Sequence, residues 1–394
     1  MEGMEGIAGT TGAALSTGAF PDVRTVAQRR TRIPAIDGLR AAAVLAVMAF
    51  HFDFPFHGGF LGVDLFFAIS GFVIARGRLD AARSSRSSVE VVTRFVARRA
   101  SRLLPAAAVA FGAIVVLNAV RGPSFGALPR TIAHALASLG GVGNWFVVVF
   151  PDRPGEVVRP LLHTWSLGVE EQAYAVLPLA LLARRSSARA SAFVVCGVGV
   201  VAALVFARMW SAPSVAFFST PSRLAPVALG VGVAALLDGT RVASSRLTGW
   251  FGTALTLCVV PALLWCSWTD AWLYRGGFLV VGAVFAGLVG VAAVQKTGVL
   301  IWVLESPPVQ FIGARSYSLY LVHFPCAYLF GSFGFGLRSV LRVAVSLVMA
   351  EALHRTVEYR FLRGDADPGT RWRFAPVAMA VFAVAGFTLA GAWR

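Results

Sequence analysis

Lysine is almost absent from this chain: of its 35 lysine and arginine residues, only Lys296 is a lysine. Acidic residues number 19, and charged residues of both signs make up 14% of the sequence. Soluble globular domains carry about 25% charged residues, so this chain is too poor in charge to present an ordinary water-facing surface. Cysteine is scarce as well. Cys196, Cys258, Cys266 and Cys326 all sit in apolar stretches without metal-ligand spacing, which excludes a disulfide framework and reads as buried free thiols. No glycine-rich phosphate loop and no paired-histidine zinc helix occurs. Ser166, in Trp165-Ser166-Leu167-Gly168, lacks the glycine-flanked elbow of a serine hydrolase.

Long apolar runs fill the space that charge leaves. Hydrophobic residues make up 57% of the chain, and the mean hydropathy is +0.73. Runs long enough to cross a bilayer core occur at 36–52, 60–76, 103–120, 168–183, 191–209, 222–237, 247–268, 276–294, 315–332, 337–356 and 374–391. Glu170 and Glu171 interrupt the fourth, and Pro226 the sixth. Only helices and closed barrels satisfy the backbone in lipid, and continuous runs of this length predict helices. The expected fold is an all-α polytopic membrane protein of about 10–11 transmembrane helices with a cytoplasmic N-terminus, in the plasma membrane.

The net charge of +16 does not indicate nucleic acid, because its distribution follows topology. With the N-terminus inside, the arginines concentrate in alternate loops, as the positive-inside rule requires. The loop after the second run carries Arg76, Arg78, Arg83, Arg86, Arg94, Arg98 and Arg99. Topogenesis alone accounts for most of them. Residues 1–34 are expected to form a disordered cytoplasmic tail. The membrane core then covers 35–364, and 365–394 holds a cytoplasmic loop and the last span.

Four strings place chemistry inside these spans. Arg40, in Ile36-Asp37-Gly38-Leu39-Arg40, lies eleven residues before His51. Eleven residues give about three helical turns, a net rotation of about 20° and a rise of about 16 Å. Both side chains therefore lie on one stripe, and ionisable groups in a span mark functional sites. A Gly58-Gly59 reversal then brings Asp64, in Gly62-Val63-Asp64-Leu65-Phe66-Phe67, back against the first helix. An imidazole oriented by a carboxylate is an effective general base, so His51 and Asp64 are expected to pair; a purely structural pin between two helices is the alternative. His57, in the turn, reads as interfacial.

Arg99 and Arg102 enter the third run three residues apart and project from one helix face. Two guanidiniums there suit a phosphate or carboxylate, although a snorkelling topogenic pair would look the same. Arg40 at the same membrane face favours an anionic ligand. His163, Glu170 and Glu171 cluster at the mouth of the fourth run, where adjacent helix positions diverge by about 100°. One glutamate is expected in the core and the other at the interface. Tyr317, Tyr320 and His323 form a polar aromatic stripe in the ninth run, either lining a substrate path or bonding neighbouring helices.

In this order the strings resemble acyltransferase family 3, the bacterial integral-membrane O-acyltransferases, across about 35–364. Glu358, in Val357-Glu358-Tyr359, is similar to the family's closing element. The resemblance implies transfer of an acyl group, commonly acetyl, from acyl-CoA to a hydroxyl of a glycan, lipid-linked sugar or macrolide. It implies His51 as catalytic histidine and Arg99 and Arg102 as an essential pair, with Arg40 opening the spacing to the histidine. Pro221 departs from the family, where an acid often stands; Ala173 and Val322 replace aromatics. The expected assignment is His51 and Asp64 for catalysis, Arg40, Arg99 and Arg102 for the donor, and His163, Glu170, Glu171, Tyr317 and His323 on the acceptor side. No resident metal or cofactor is expected; acyl-CoA is a co-substrate. A transporter or flippase is the rival, disfavoured because no matching pair of broken segments marks two halves.

Overall fold

A computed structural model describes residues 32–82, 88–122, 126–151, 159–181, 188–209, 213–240, 244–329 and 336–360. Of the expected tail at 1–34, only 32–34 are described, and Pro34 already begins a helix; the run at 374–391 lies outside the described residues. The compact membrane core begins at Pro34. Among the described residues there is helix and no strand.

The first five helices are α1 (Pro34–His51), α2 (Gly62–Ala82), α3 (Ser88–Arg121), α4 (Leu128–Leu139) and α5 (Gly143–Val149). Next come α6 (Trp165–Ala180), α7 (Ala188–Met209), α8 (Pro213–Phe218), α9 (Leu224–Leu237) and α10 (Arg246–Trp265). The last are α11 (Phe278–Val294), α12 (Val299–Leu304), α13 (Pro307–Ala314), α14 (Ser316–Leu329) and α15 (Leu337–Leu353). Ten of the predicted apolar runs fall on these helices. Among the described residues, six helical segments are long and apolar enough to cross a membrane unaided; within those residues α6, α9, α14 and α15 are shorter. The chain is a multi-pass helical membrane protein.

Helix α2 is the axis of the core, with 83% of its apolar stretch buried, against 11% for α7 and 6% for α10, which turn outward. Its most extensive partner is α9, which also packs on α7 and α11. Residues 64, 68 and 71 form one helical stripe, as do 223, 227 and 230. Along this seam a Cβ on Gly71 would overlap the Val227 carbonyl, and one on Gly230 would overlap that of Ala68. Small residues allow such backbone approach in membrane helices.

Candidate active site

The seam between α2 and α9 decides the fate of Asp64. Its carboxylate, fully buried, accepts a hydrogen bond from Arg223 Nη2 at 2.9 Å, not from His51. The expected His51–Asp64 pair is therefore corrected: the Asp64 stripe faces α9, while His51 ends α1 on the side of α14. The Arg223 guanidinium is also fully buried and lies 3.8 Å from the Phe278 ring centre, 4.8 Å from Phe217 and 5.5 Å from Trp165. Aromatic faces take the place of hydrogen-bond acceptors for Nε and Nη1.

His51 has histidines for company. Its Nδ1 lies 3.1 Å from Nε2 of His323, which is fully buried. The His163 ring lies 5.4 Å from that of His323 and is stacked at 5.0 Å on Phe324. His163 is 2% exposed, and neither of its ring nitrogens makes a hydrogen bond of ordinary geometry.

The arginines frame a cavity of about 60 Å³. Arg40, Arg99 and Arg102 line it together with Glu170 and Tyr317. Arg99 lies 4.7 Å from the Tyr174 ring centre, with Nη1 3.4 Å from the Tyr174 hydroxyl. That hydroxyl and Ser70 Oγ both donate to Glu170. Arg102 Nη2 lies 3.9 Å from Glu358 Oε1, while its Nε has no hydrogen-bond partner. Glu358 also holds Ser318 Oγ at 2.8 Å and His354 Nδ1 at 2.9 Å. It gets there because α15 ends in a wide turn, His354–Glu358, of the π type common near functional sites.

Tyr320 and Ser166 also line the cavity and link it to the histidines. The Tyr320 hydroxyl donates to the His163 carbonyl at 2.7 Å, and its ring lies 5.6 Å from the His163 ring. The expected acceptor-side set is therefore divided. Glu170 and Tyr317 share the arginine cavity, His163 and His323 surround His51, and Glu171 is not a lining residue but turns towards Gly141. The two glutamates point different ways, but both are half-buried, so they do not divide into one core and one interfacial residue. Sequence reasoning missed Ser70, Tyr174 and Ser166. Tyr174 had a signal, one turn after Glu170; Ser70 and Ser166 had none.

A smaller polar cavity is lined by Arg130, His134 and Arg159 beside α4 and α5. Burial, then the charges of Arg159 and Arg130, push the His134 imidazole down to about 3. Both arginines donate to the Phe150 carbonyl, so they fasten the end of α5. Of the thiols, Cys266 and Cys326 are buried as expected, whereas Cys258 is exposed on α10.

Residues 33–393 match the family model of the acyltransferase domain, acyltransferase family 3. The peptidoglycan O-acetyltransferase OatA of Listeria monocytogenes is 30% identical over 358 residues, covering 85% of this chain and 56% of that protein. The O-acetyltransferase OatA of Staphylococcus aureus is 29% identical over 348 residues, covering 84% and 56%. The chain thus spans little more than half the length of these relatives. No solved structure matches it. A family match over nearly the whole chain, joined to a buried histidine and an arginine-lined cavity, establishes that the chain belongs to acyltransferase family 3.

Proposed function

We propose that this chain is an O-acyltransferase that moves an acetyl or other short acyl group from acyl-CoA to a hydroxyl of a cell-envelope glycan. One observation carries the reading: a single cavity gathers Arg40, Arg99 and Arg102 and ends at Tyr320 and Ser166, next to the His51 cluster. Coenzyme A carries phosphates, and guanidiniums bind such oxygens in bidentate fashion. The arginine end is the cytoplasmic end by charge distribution, where acyl-CoA is made. The relatives named for peptidoglycan favour a wall glycan over a macrolide as acceptor.

The chemistry balances with the residues in place. His51 takes the proton of the acceptor hydroxyl as that oxygen attacks the thioester carbonyl. The C–S bond breaks, and the departing thiolate takes the proton from the His51 imidazolium to become free thiol, which restores the base. Positioned acid–base catalysis of this kind contributes about 10²–10⁴-fold. The test is thiol release from acetyl-CoA by purified protein in nanodiscs with wall glycan as acceptor. Release that falls at least about 100-fold in His51→Ala is the expected result. Glycan movement without acyl-CoA consumption would overturn the reading in favour of transport.

A further inference from the structure

We infer that His323 is a positioning residue that fixes the tautomer of His51 and makes Nε2 its basic nitrogen. The inference rests on the acyl-transfer reading above and follows from a chain of donors and acceptors. His323 Nδ1 lies 2.8 Å from the Tyr320 carbonyl oxygen and 3.2 Å from that of Leu319, both one turn back on α14. A carbonyl oxygen only accepts, so Nδ1 carries the hydrogen. A neutral imidazole with hydrogen on one nitrogen has a lone pair on the other, so His323 Nε2 is an acceptor. His51 Nδ1, 3.1 Å from that lone pair, is then the donor, and the Val47 carbonyl one turn back on α1 also accepts a hydrogen bond from the ring. The remaining nitrogen of His51, Nε2, is the one with a lone pair to accept a proton.

The same bond serves the step itself. As His51 Nε2 takes the acceptor proton, the ring becomes an imidazolium, and its Nδ1–H bond to His323 becomes charge-assisted, roughly doubling in strength. Protonation of His323 would set Nε2–H against Nδ1–H, donor against donor, and remove the arrangement. The pair is thus silenced by one proton on either ring. Other titratable groups beside it are His163, entering from the turn before α6, and Tyr320 on α14. The Asp53–Arg342 ion pair follows the end of α1, with 3.0 Å between the charged atoms. The geometry is reached because Tyr320 and Leu319 precede His323 by three and four residues, which places their carbonyls under the ring.

Two variants separate positioning from mere packing. His323→Leu removes the acceptor; His323→Gln restores an oxygen near the position of Nε2. Acetyl-CoA thiol release is followed from pH 5 to 9 for wild type, both variants and His51→Ala. Partners that orient metal-bound histidines are worth about 10–100-fold, and the same range is expected for this pair. His323→Leu is expected to lose kcat by that factor with KM little changed. His323→Gln is expected to recover most of it, with the acid limb moved to lower pH, because an amide oxygen stabilises the His51 imidazolium less than an imidazole does. Equal losses in both variants with an unmoved acid limb would overturn the inference and leave the acyl-transfer reading standing. Full activity in His51→Ala would overturn both. A readout independent of activity is the ¹⁵N spectrum of histidine-labelled protein, assigned by difference against the variants. Hydrogen on Nδ1 of both His51 and His323 is expected; hydrogen on Nε2 of His51 overturns the proposal.

Discussion

Arg223 illustrates what a buried charge demands of its surroundings. It has one carboxylate, Asp64, and three aromatic faces, and no exposed surface. Removing one member of such a pair leaves an uncompensated charge and costs about 3–5 kcal/mol, whereas replacing both by apolar groups is often neutral. Asp64→Ala is therefore expected to lower thermal stability in detergent sharply, and Asp64→Leu combined with Arg223→Met to recover most of it. Thiol release per folded molecule should persist in the double variant. An unchanged melting temperature with abolished release in Asp64→Asn would instead return Asp64 to catalysis. The sequence made the need for a partner legible, since a carboxylate inside a span cannot stand alone. It did not reveal which partner, because His51 is thirteen residues away along the chain and Arg223 is 159. Only the helix seam chooses between them.

That seam makes its own prediction for the elements that form it. At Gly230 an added side chain would meet the Ala68 carbonyl, whereas a Cβ on Gly197 in α7 meets nothing within 4 Å. Overpacking costs about 1–3 kcal/mol and sometimes more, and here the obstacle is backbone. Gly230→Val is expected to lower the melting temperature and reduce release, because α2 and the turn leading into α9 carry the Asp64–Arg223 clamp. Gly197→Ala should leave both unchanged or raise stability slightly, by up to about 1 kcal/mol of helix propensity. Equal melting curves for the two variants would contradict the seam. The helices themselves were legible from length and apolarity. Their ends were less so: the run beginning at 103 belongs to a helix that starts at Ser88. Its first part carries Arg94, Arg98, Arg99 and Arg102, and arginine lowers hydropathy without opposing helix formation.

Among the described residues, an arginine-lined cavity and a cluster of imidazoles meet at Tyr320 and Ser166. The sequence placed Arg40 and His51 on one stripe at different depths, and this division is its three-dimensional form. It could not place Glu170 and Tyr317, because the depth of a residue in one helix says nothing of the cavity that its neighbours close. If the arginine end holds the donor, the two compartments should fail in different ways. Losing a charge-assisted hydrogen bond costs about 1.5–3 kcal/mol, or roughly 10–150-fold in affinity at 1.4 kcal/mol per tenfold. Arg99→Ala and Arg102→Ala are therefore expected to weaken coenzyme A binding by that factor, measured by calorimetry in nanodiscs. His51→Ala should leave the affinity within about threefold, less than 1 kcal/mol. Arg102→Lys tests the geometry as well as the charge: its ammonium keeps the sign but loses the planar fork, so its affinity should fall between wild type and Arg102→Ala. Coenzyme A that binds equally well to all four proteins would mean that the arginines stand at the membrane face for topology alone, and the donor would have to enter elsewhere.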